Sequence, residues 1–149
     1  MGNYSAIKGN QSFPIAGALA ASFASLQTLD YVISGFTKSL NPQQPSVFYS
    51  GYVYAGYAVM AWFGVLALAF GWSGIVYAAK RKHFVLCVLG ISFIVVSCIV
   101  EVIVFNYIPS MNGGIATSIL DSAYPAILLQ LLFSVAGITL VTASRHQFS

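Results

Sequence analysis

The segment Val85–Val100, VLCVLGISFIVVSCIV, has no charged side chain and is almost unbroken in apolar or small residues. With its flanks it forms an apolar run over residues 84–107. A helix needs about 20 residues to cross about 30 Å of hydrocarbon, so this run is long enough. A membrane strand would need only about 9–11 residues and would alternate polar with apolar side chains. The segment therefore predicts a transmembrane helix.

The composition of the whole chain agrees with a membrane environment. The 149 residues are 58% hydrophobic and 6% charged, and the mean hydropathy is +0.84. Soluble domains carry about 25% charged residues. These few charged residues cannot form a polar surface around an apolar core. The apolar surface therefore has to be covered by lipid. We expect a multi-pass integral protein of the plasma membrane, with membrane lipids as its surroundings.

Three further apolar segments have spanning length, and polar or helix-breaking stretches separate them. Two prolines interrupt residues 41–45, NPQQP, and residues 109–114, PSMNGG, form a second break. The link Lys80–His83 is so short that the helices on either side form a hairpin. The sequence predicts one all-α domain over residues 1–149, a four-helix bundle of two hairpins. Its spans are expected at about residues 13–36, 52–79, 84–107 and 123–144.

The basic residues predict the orientation. Four spans place both chain termini and the link between the second and third spans on one side. That side holds five of the six basic residues, and the other side holds only Lys38. By the positive-inside rule, both termini are expected to be cytoplasmic. The five residues on that side are Lys8, Lys80, Arg81, Lys82 and Arg145.

A second interpretation of the basic link is a site for anionic lipid head groups or for the acidic tail of a partner. Lys80, Arg81 and Lys82 supply three adjacent charges, and Arg145 follows the fourth span. Lipid-binding clusters usually have four to eight basic residues. A topology signal is therefore the simpler explanation of the link.

Small residues at helical spacing predict where the helices approach one another, because they allow close backbone contact. In the third span, Cys87, Gly90, Ser97, Cys98 and Glu101 share one side, which we expect to face protein. The opposite side, expected to face lipid, has Leu86, Leu89, Phe93, Val96, Val100 and Val104. The packing glycines predicted across the chain are Gly64, Gly71, Gly74, Gly90 and Gly137.

Few polar residues interrupt the spans, and several of them fall at comparable depths in the outer half. They predict an intramembrane polar cluster in which Glu101 is the deepest acid. An intramembrane carboxyl costs about 2.5–3.5 kcal/mol on insertion scales, so it is by default a candidate functional group. The predicted members are Gln27, Asp30, Tyr57, Glu101 and Gln130.

Glu101 has two broad interpretations. It is either a cation or proton site on a transport path, or a structural group. The structural group would be a neutral carboxyl that links helices or one paired with a cation on another subunit. A transport path needs polar residues at several depths, whereas the inner halves of all four spans are almost wholly apolar. The structural interpretation is therefore preferred.

The sequence offers no motif for catalysis, cofactor binding or metal binding. It contains no glycine-rich nucleotide loop, catalytic triad pattern or zinc motif. Cys87 and Cys98 are three helical turns apart on one helix, about 16 Å, so they cannot bond to each other. A net charge of +3 at the membrane edges gives no case for nucleic-acid binding. We expect no catalytic, cofactor-binding or metal-binding residues and no intrinsic enzyme activity.

The basic link 80–83, KRKH, and the tail 145–148, RHQF, carry a resemblance. In both features the chain resembles small prokaryotic, often archaeal, four-span membrane proteins that mostly have no assigned activity. The resemblance implies a four-helix bundle, and it suggests an accessory subunit of a larger complex.

Together these patterns predict a non-catalytic membrane protein that acts as an accessory or scaffold subunit and packs against partner subunits or copies of itself. The alternative is a small oligomeric cation or proton transporter or channel that uses Glu101 and Asp30.

Overall fold

The chain folds into four α-helices. A computed structural model describes residues 12–40, 51–111 and 117–149. Within them, the all-α class and the four predicted helices are confirmed. A short 3₁₀ turn, Arg145–Gln147, follows the fourth helix. The helices are α1, Phe13–Leu40; α2, Gly51–Lys80; α3, Phe84–Met111; and α4, Thr117–Ala143.

The helix boundaries match the sequence prediction at some ends and differ at others. α1 and α3 begin at the predicted residues, and α2 ends beside the predicted tight link. α3 continues past Pro109 to Met111, so the break predicted from residue 109 does not end this helix. α4 begins at Thr117, ahead of the predicted start at about residue 123, so Asp121 lies within this helix. The predicted break at 41–45 lies outside the described residues, and so do residues 112–114 of the second predicted break.

Neighbouring helices in the chain also pack against one another, and α4 returns to α1. The neighbours run antiparallel. For example, a Cβ added to Gly17 of α1 would meet Gly137 of α4, whereas Thr28 further along α1 bonds Gln130, which precedes Gly137. The start of α1, the end of α4 and the α2–α3 link therefore share one end of the molecule. We call it the basic end, because it carries the link Lys80–Lys82 and Arg145.

Two apolar clusters fill the interior at different heights. The basic-end cluster combines three alanines with three larger side chains: Ala18, Ala21, Ala78, Cys87, Ile91 and Val141. The far-end cluster includes Tyr31, Met60, Cys98, Val104, Phe105 and Ile127. Val104 was expected to face lipid, but it is only 8% exposed, because it follows Glu101 by three residues on the same helix face.

Close helix contacts depend on glycine, as at the crossing of α2 and α3. A Cβ added to Gly74 would lie 2.7 Å from the carbonyl oxygen of Cys87, and one added to Gly90 would lie 2.5 Å from that of Phe70. Any larger residue would push the backbones apart. The other predicted packing glycines, Gly64, Gly71 and Gly137, are also buried against a neighbouring helix.

Three helical stretches among the described residues are long and apolar enough to cross a membrane: Ala55–Lys80, Phe84–Asn106 and Tyr124–Ala143. α1 is not one of them, and it is the least apolar of the four helices. Its inward face has Ser25 and Thr28, and its other polar residues include the half-buried Gln27 and the exposed Asp30. The outward surface of all four helices has large exposed apolar side chains, such as Phe23, Trp62 and Leu132.

Candidate functional site

A hydrogen-bonded polar cluster joins α1, α3 and α4 inside the molecule. Its members are Thr28, Ser97, Glu101 and Gln130. The amide nitrogen Nε2 of Gln130 donates to Thr28 Oγ1 at 2.8 Å and to Ser97 Oγ at 3.3 Å. Ser97 Oγ in turn lies 3.3 Å from Glu101 Oε1 and 3.2 Å from the carbonyl oxygen of Ile94, and can donate its single hydrogen to either. We call these four residues the polar cluster.

Helical spacing brings the polar cluster together. Ser97 and Glu101 are four residues apart on α3, so their side chains lie on the same face. Gln130 and Ser134 have the same spacing on α4, and the Ser134 hydroxyl donates to the backbone oxygen of Gln130 at 2.7 Å. This bond uses only the backbone of Gln130, and the Gln130 side chain bridges to α1 and α3.

The polar cluster is almost wholly buried. Thr28 is 0% exposed, Glu101 and Gln130 are 1% exposed, and Ser97 is 2% exposed. The basic-end cluster closes the interior on one side along the helix axes, and the far-end cluster closes it on the other. In the described part of the chain, polar side chains therefore do not continue from the cluster to either end of the molecule.

Two oxygen atoms of the polar cluster have no hydrogen-bond partner: Glu101 Oε2 and Gln130 Oε1, both buried. Both are acceptors when the carboxyl is ionised, so neither can satisfy the other. An ionised Glu101 would also need a cation, since an unpaired buried charge is strongly destabilising. No ion pair joins Glu101 to a described basic side chain. A protonated carboxyl, by contrast, has an O–H to donate to an acceptor such as Gln130 Oε1.

Of the five residues predicted from the sequence to form an intramembrane cluster, the structure brings only some together. Glu101 and Gln130 are hydrogen-bonded to the same serine, Ser97. Gln27 is half-buried and lines a groove of about 300 Å³ between α1 and α4, where Gln130 also lies. Tyr57 is half-buried and packs against the far-end cluster.

Asp30 was predicted as a member of the intramembrane cluster, but it is exposed and lies outside the polar cluster. It follows the buried Thr28 by two residues, which turns it about 200° around α1. Its carboxylate therefore points away from the helices that hold Glu101.

Thr28 is a member of the polar cluster that was not predicted. A signal was present, because Ala21, Ala24 and Thr28 follow the three- and four-residue spacing of a packing face. All three are buried. Threonine hydroxyls in helices often bond a backbone carbonyl of their own helix, so the residue type alone does not indicate a bridge between helices. The amide that meets it comes from 102 residues away in sequence.

No group of three or more metal-ligating side chains occurs among the residues that the structure describes. Cys87 and Cys98 are free and buried, and Cys98 donates its S–H to the backbone of Ile94. His83 and His146 lie at the basic end, away from Glu101. There Lys80, Lys82 and Arg145 are exposed and Arg81 is partly exposed.

Comparison of the chain with protein-family models, with curated proteins and with solved structures finds no match.

Proposed function

We propose that the chain is a non-catalytic integral membrane protein, and that it serves as an accessory or scaffold subunit that packs against the helices of partner subunits. In this proposal the four helices form a bundle that spans the plasma membrane. The basic end, with both termini, faces the cytoplasm, in line with the positive-inside rule.

One observation carries the proposal: the buried polar side chains that the structure describes bond to one another or to the backbone of their own helix, while large apolar side chains cover the outside. Glu101, the one described acid in the interior, is 1% exposed and lies between two apolar clusters. Such an interior holds helices in register, and its described side chains line no aqueous path. Buried interhelical hydrogen bonds in membranes contribute about 0.6 kcal/mol on average, with a maximum near 1.7.

The outer surface offers a place for a partner helix. An apolar groove of about 380 Å³ runs between α1 and α2, and Leu19, Phe23 and Leu26 form one wall. Trp72 lies on the other side, and its indole N–H donates to Ser25 Oγ at 3.1 Å, which fixes the ring across the groove. Membrane helices associate through close van der Waals packing, and a concave apolar surface with a fixed aromatic wall favours such packing.

Purification in mild detergent tests the scaffold role. We expect the protein to elute with other membrane chains in a fixed ratio. Ser22→Phe should fill the groove and reduce the bound partner, because Ser22 lines it.

Ser73→Phe is the matched control, since Ser73 lies on the exposed surface of α2 and also bonds a carbonyl of its own helix. Equal loss of partner in both variants contradicts the groove as the docking surface. Elution of the chain alone, or only with copies of itself, contradicts the accessory-subunit role.

A second function is favoured by the two unpartnered oxygens, Glu101 Oε2 and Gln130 Oε1. They could hold a proton or a monovalent cation, as in a small oligomeric transporter. Because Asp30 is exposed, this site would depend on Glu101 without it. Proteoliposomes that pass protons or cations, and lose this activity in Glu101→Gln, would support this function over the scaffold. Equal ion flux through Glu101→Gln and wild type would exclude it.

A further inference from the structure

The chain after α4 folds back onto the α2–α3 link. The backbone N–H of Ser149 donates to the carbonyl oxygen of Arg81 at 3.1 Å, and the N–H of His83 donates to the carbonyl oxygen of Ser149 at 3.2 Å. Phe148 packs edge-on against Phe84, with ring centroids 5.5 Å apart. Two parts of the chain that are more than 60 residues apart in sequence thus form one surface.

This folding brings a fourth strong cation to the basic link. The guanidinium carbon of Arg145 lies 5.5 Å from the ring centroid of Phe84, the first residue after the link. Arg145 therefore joins Lys80, Arg81 and Lys82 at one end of the molecule. Four basic residues reach the usual size of an anionic-lipid cluster, which the link alone does not. The three acids, Asp30, Glu101 and Asp121, all lie at helix positions nearer the other end and do not offset these charges.

The basic end also has a pocket with both polar and apolar walls. It has a volume of about 410 Å³, and Arg145 and His83 line it together with Phe84, Val85 and Leu86. Val85 and Leu86 are 65% and 50% exposed on the outer surface of α3. The cationic wall therefore continues into the apolar surface on which an acyl chain can lie.

Two non-glycine residues of the link adopt a left-handed backbone conformation. Arg81 has φ of 54° and His83 has φ of 50°, in the left-handed region. Glycine adopts this region without steric cost, whereas other residues are strained there. Arg81 ends α2 in a Schellman arrangement, with N–H bonds from Arg81 to Ala78 and from Lys82 to Tyr77. Glycine would suit this turn better, so the cationic side chain at position 81 stands there at a cost in backbone strain.

We propose that the basic end binds the phosphate group of an anionic phospholipid. Arg145 and the basic link hold the phosphate, and Val85 and Leu86 contact the acyl chain. Charge complementarity selects an anionic head group, and the adjoining apolar surface selects a lipid over a soluble phosphate. The inference rests on the membrane insertion proposed above, but not on the scaffold role.

Native mass spectrometry of the detergent-purified protein tests this site, with phosphatidylglycerol and phosphatidylcholine as probes. Wild type should retain phosphatidylglycerol preferentially. Each cation near a lipid surface contributes about fivefold in affinity, equivalent to about 1 kcal/mol. Arg145→Gln should therefore reduce the preference about fivefold. Lys38→Gln is the control, because it removes the same charge near the opposite end of α1 and should leave the preference unchanged.

Arg81→Gly separates lipid binding from a structural role. Glycine relieves the left-handed backbone, so the unfolding temperature should stay the same or rise, while the preference for phosphatidylglycerol falls about fivefold. Unchanged lipid retention in both Arg145→Gln and Arg81→Gly contradicts the site. Excess inorganic phosphate should leave the bound lipid in place, and displacement by phosphate contradicts a lipid ligand. Protein that stays monodisperse without detergent contradicts membrane insertion itself, and the lipid site with it.

Discussion

At the residue scale, the central feature is a carboxyl in the interior that has no cation among the described residues. Glu101 accepts a hydrogen bond from Ser97 through one oxygen and leaves the other unpartnered. The neutral form of the carboxyl can donate a hydrogen bond, and the ionised form cannot. The polar cluster is therefore best satisfied when Glu101 carries a proton.

Glu101→Gln should preserve stability because glutamine is a neutral group of nearly the same shape. Its amide can donate to Gln130 and accept from Ser97, so we expect the free energy of unfolding to change by less than about 1 kcal/mol. Glu101→Ala should lose about 2–4 kcal/mol, since it leaves a cavity and removes the acceptor of Ser97. Unfolding of detergent-purified variants measures both. A loss in Glu101→Gln as large as that in Glu101→Ala would show that the fold requires an ionised carboxylate.

Thr28→Val tests the link between α1 and the rest of the polar cluster. Valine keeps the shape but removes the oxygen that accepts from Gln130 at 2.8 Å, so we expect a loss of about 1 kcal/mol in unfolding free energy. Thr37→Val is the control, because this exposed threonine of α1 bonds only the backbone of Ile33 in the described contacts. Equal stability of the two variants would contradict a bridging role for Thr28.

The sequence allowed only part of this cluster to be predicted. The depth of Glu101 and Gln130 follows from their positions in apolar runs, and both are buried in the same cluster. The direction in which a polar side chain of α1 points was harder to predict, because Asp30 and Thr28 lie at nearly the same depth. The spacing of Thr28 from Ala21 and Ala24 indicates a packing face, but only the packing of α1 against α4 shows that the threonine bonds another helix.

At the element scale, glycines determine how closely the helices approach. Gly74 and Gly90 lie at the crossing of α2 and α3, where an added Cβ at either position would meet backbone atoms of the other helix. At Gly71, one turn earlier, an added Cβ would meet only side-chain atoms of Ile94 within 3.0 Å. Side-chain atoms move more easily than backbone, so the two positions should differ in their tolerance.

Gly74→Ala should therefore destabilise the protein, although alanine is favoured over glycine in a helix by about 1 kcal/mol. We expect a net loss of about 1–3 kcal/mol, because the backbones of α2 and α3 have to separate. Gly71→Ala should lose less than half as much. Thermal unfolding in detergent measures the difference. An increase in stability in Gly74→Ala would contradict the close crossing.

Helix ends were predicted well where charge or the start of an apolar run defines them, as at Lys80 and at Phe84. They were predicted less well at the far end of the molecule, where apolar character fades gradually. There the sequence predicts a break from Pro109, but α3 runs on to Met111.

At the scale of the whole molecule, large apolar side chains cover much of the described outer surface and the polar cluster lies inside, which suits lipid as the solvent. Three helical stretches meet the length and composition needed to cross a membrane, and α1 falls short of this standard. The proposed four-span topology therefore depends most on α1. Its packing against α2 and α4 favours a fourth span, because those helices would otherwise leave their inward faces against lipid.

Cysteine labelling of intact cells tests the fourth span directly. In a background without the buried Cys87 and Cys98, single cysteines would replace Ser12 at the start of α1 or Leu40 at its end. A membrane-impermeant maleimide is predicted to label Leu40→Cys in intact cells, and Ser12→Cys only after the cells are permeabilised. Labelling of both positions from the same side of the membrane would contradict the four-span topology.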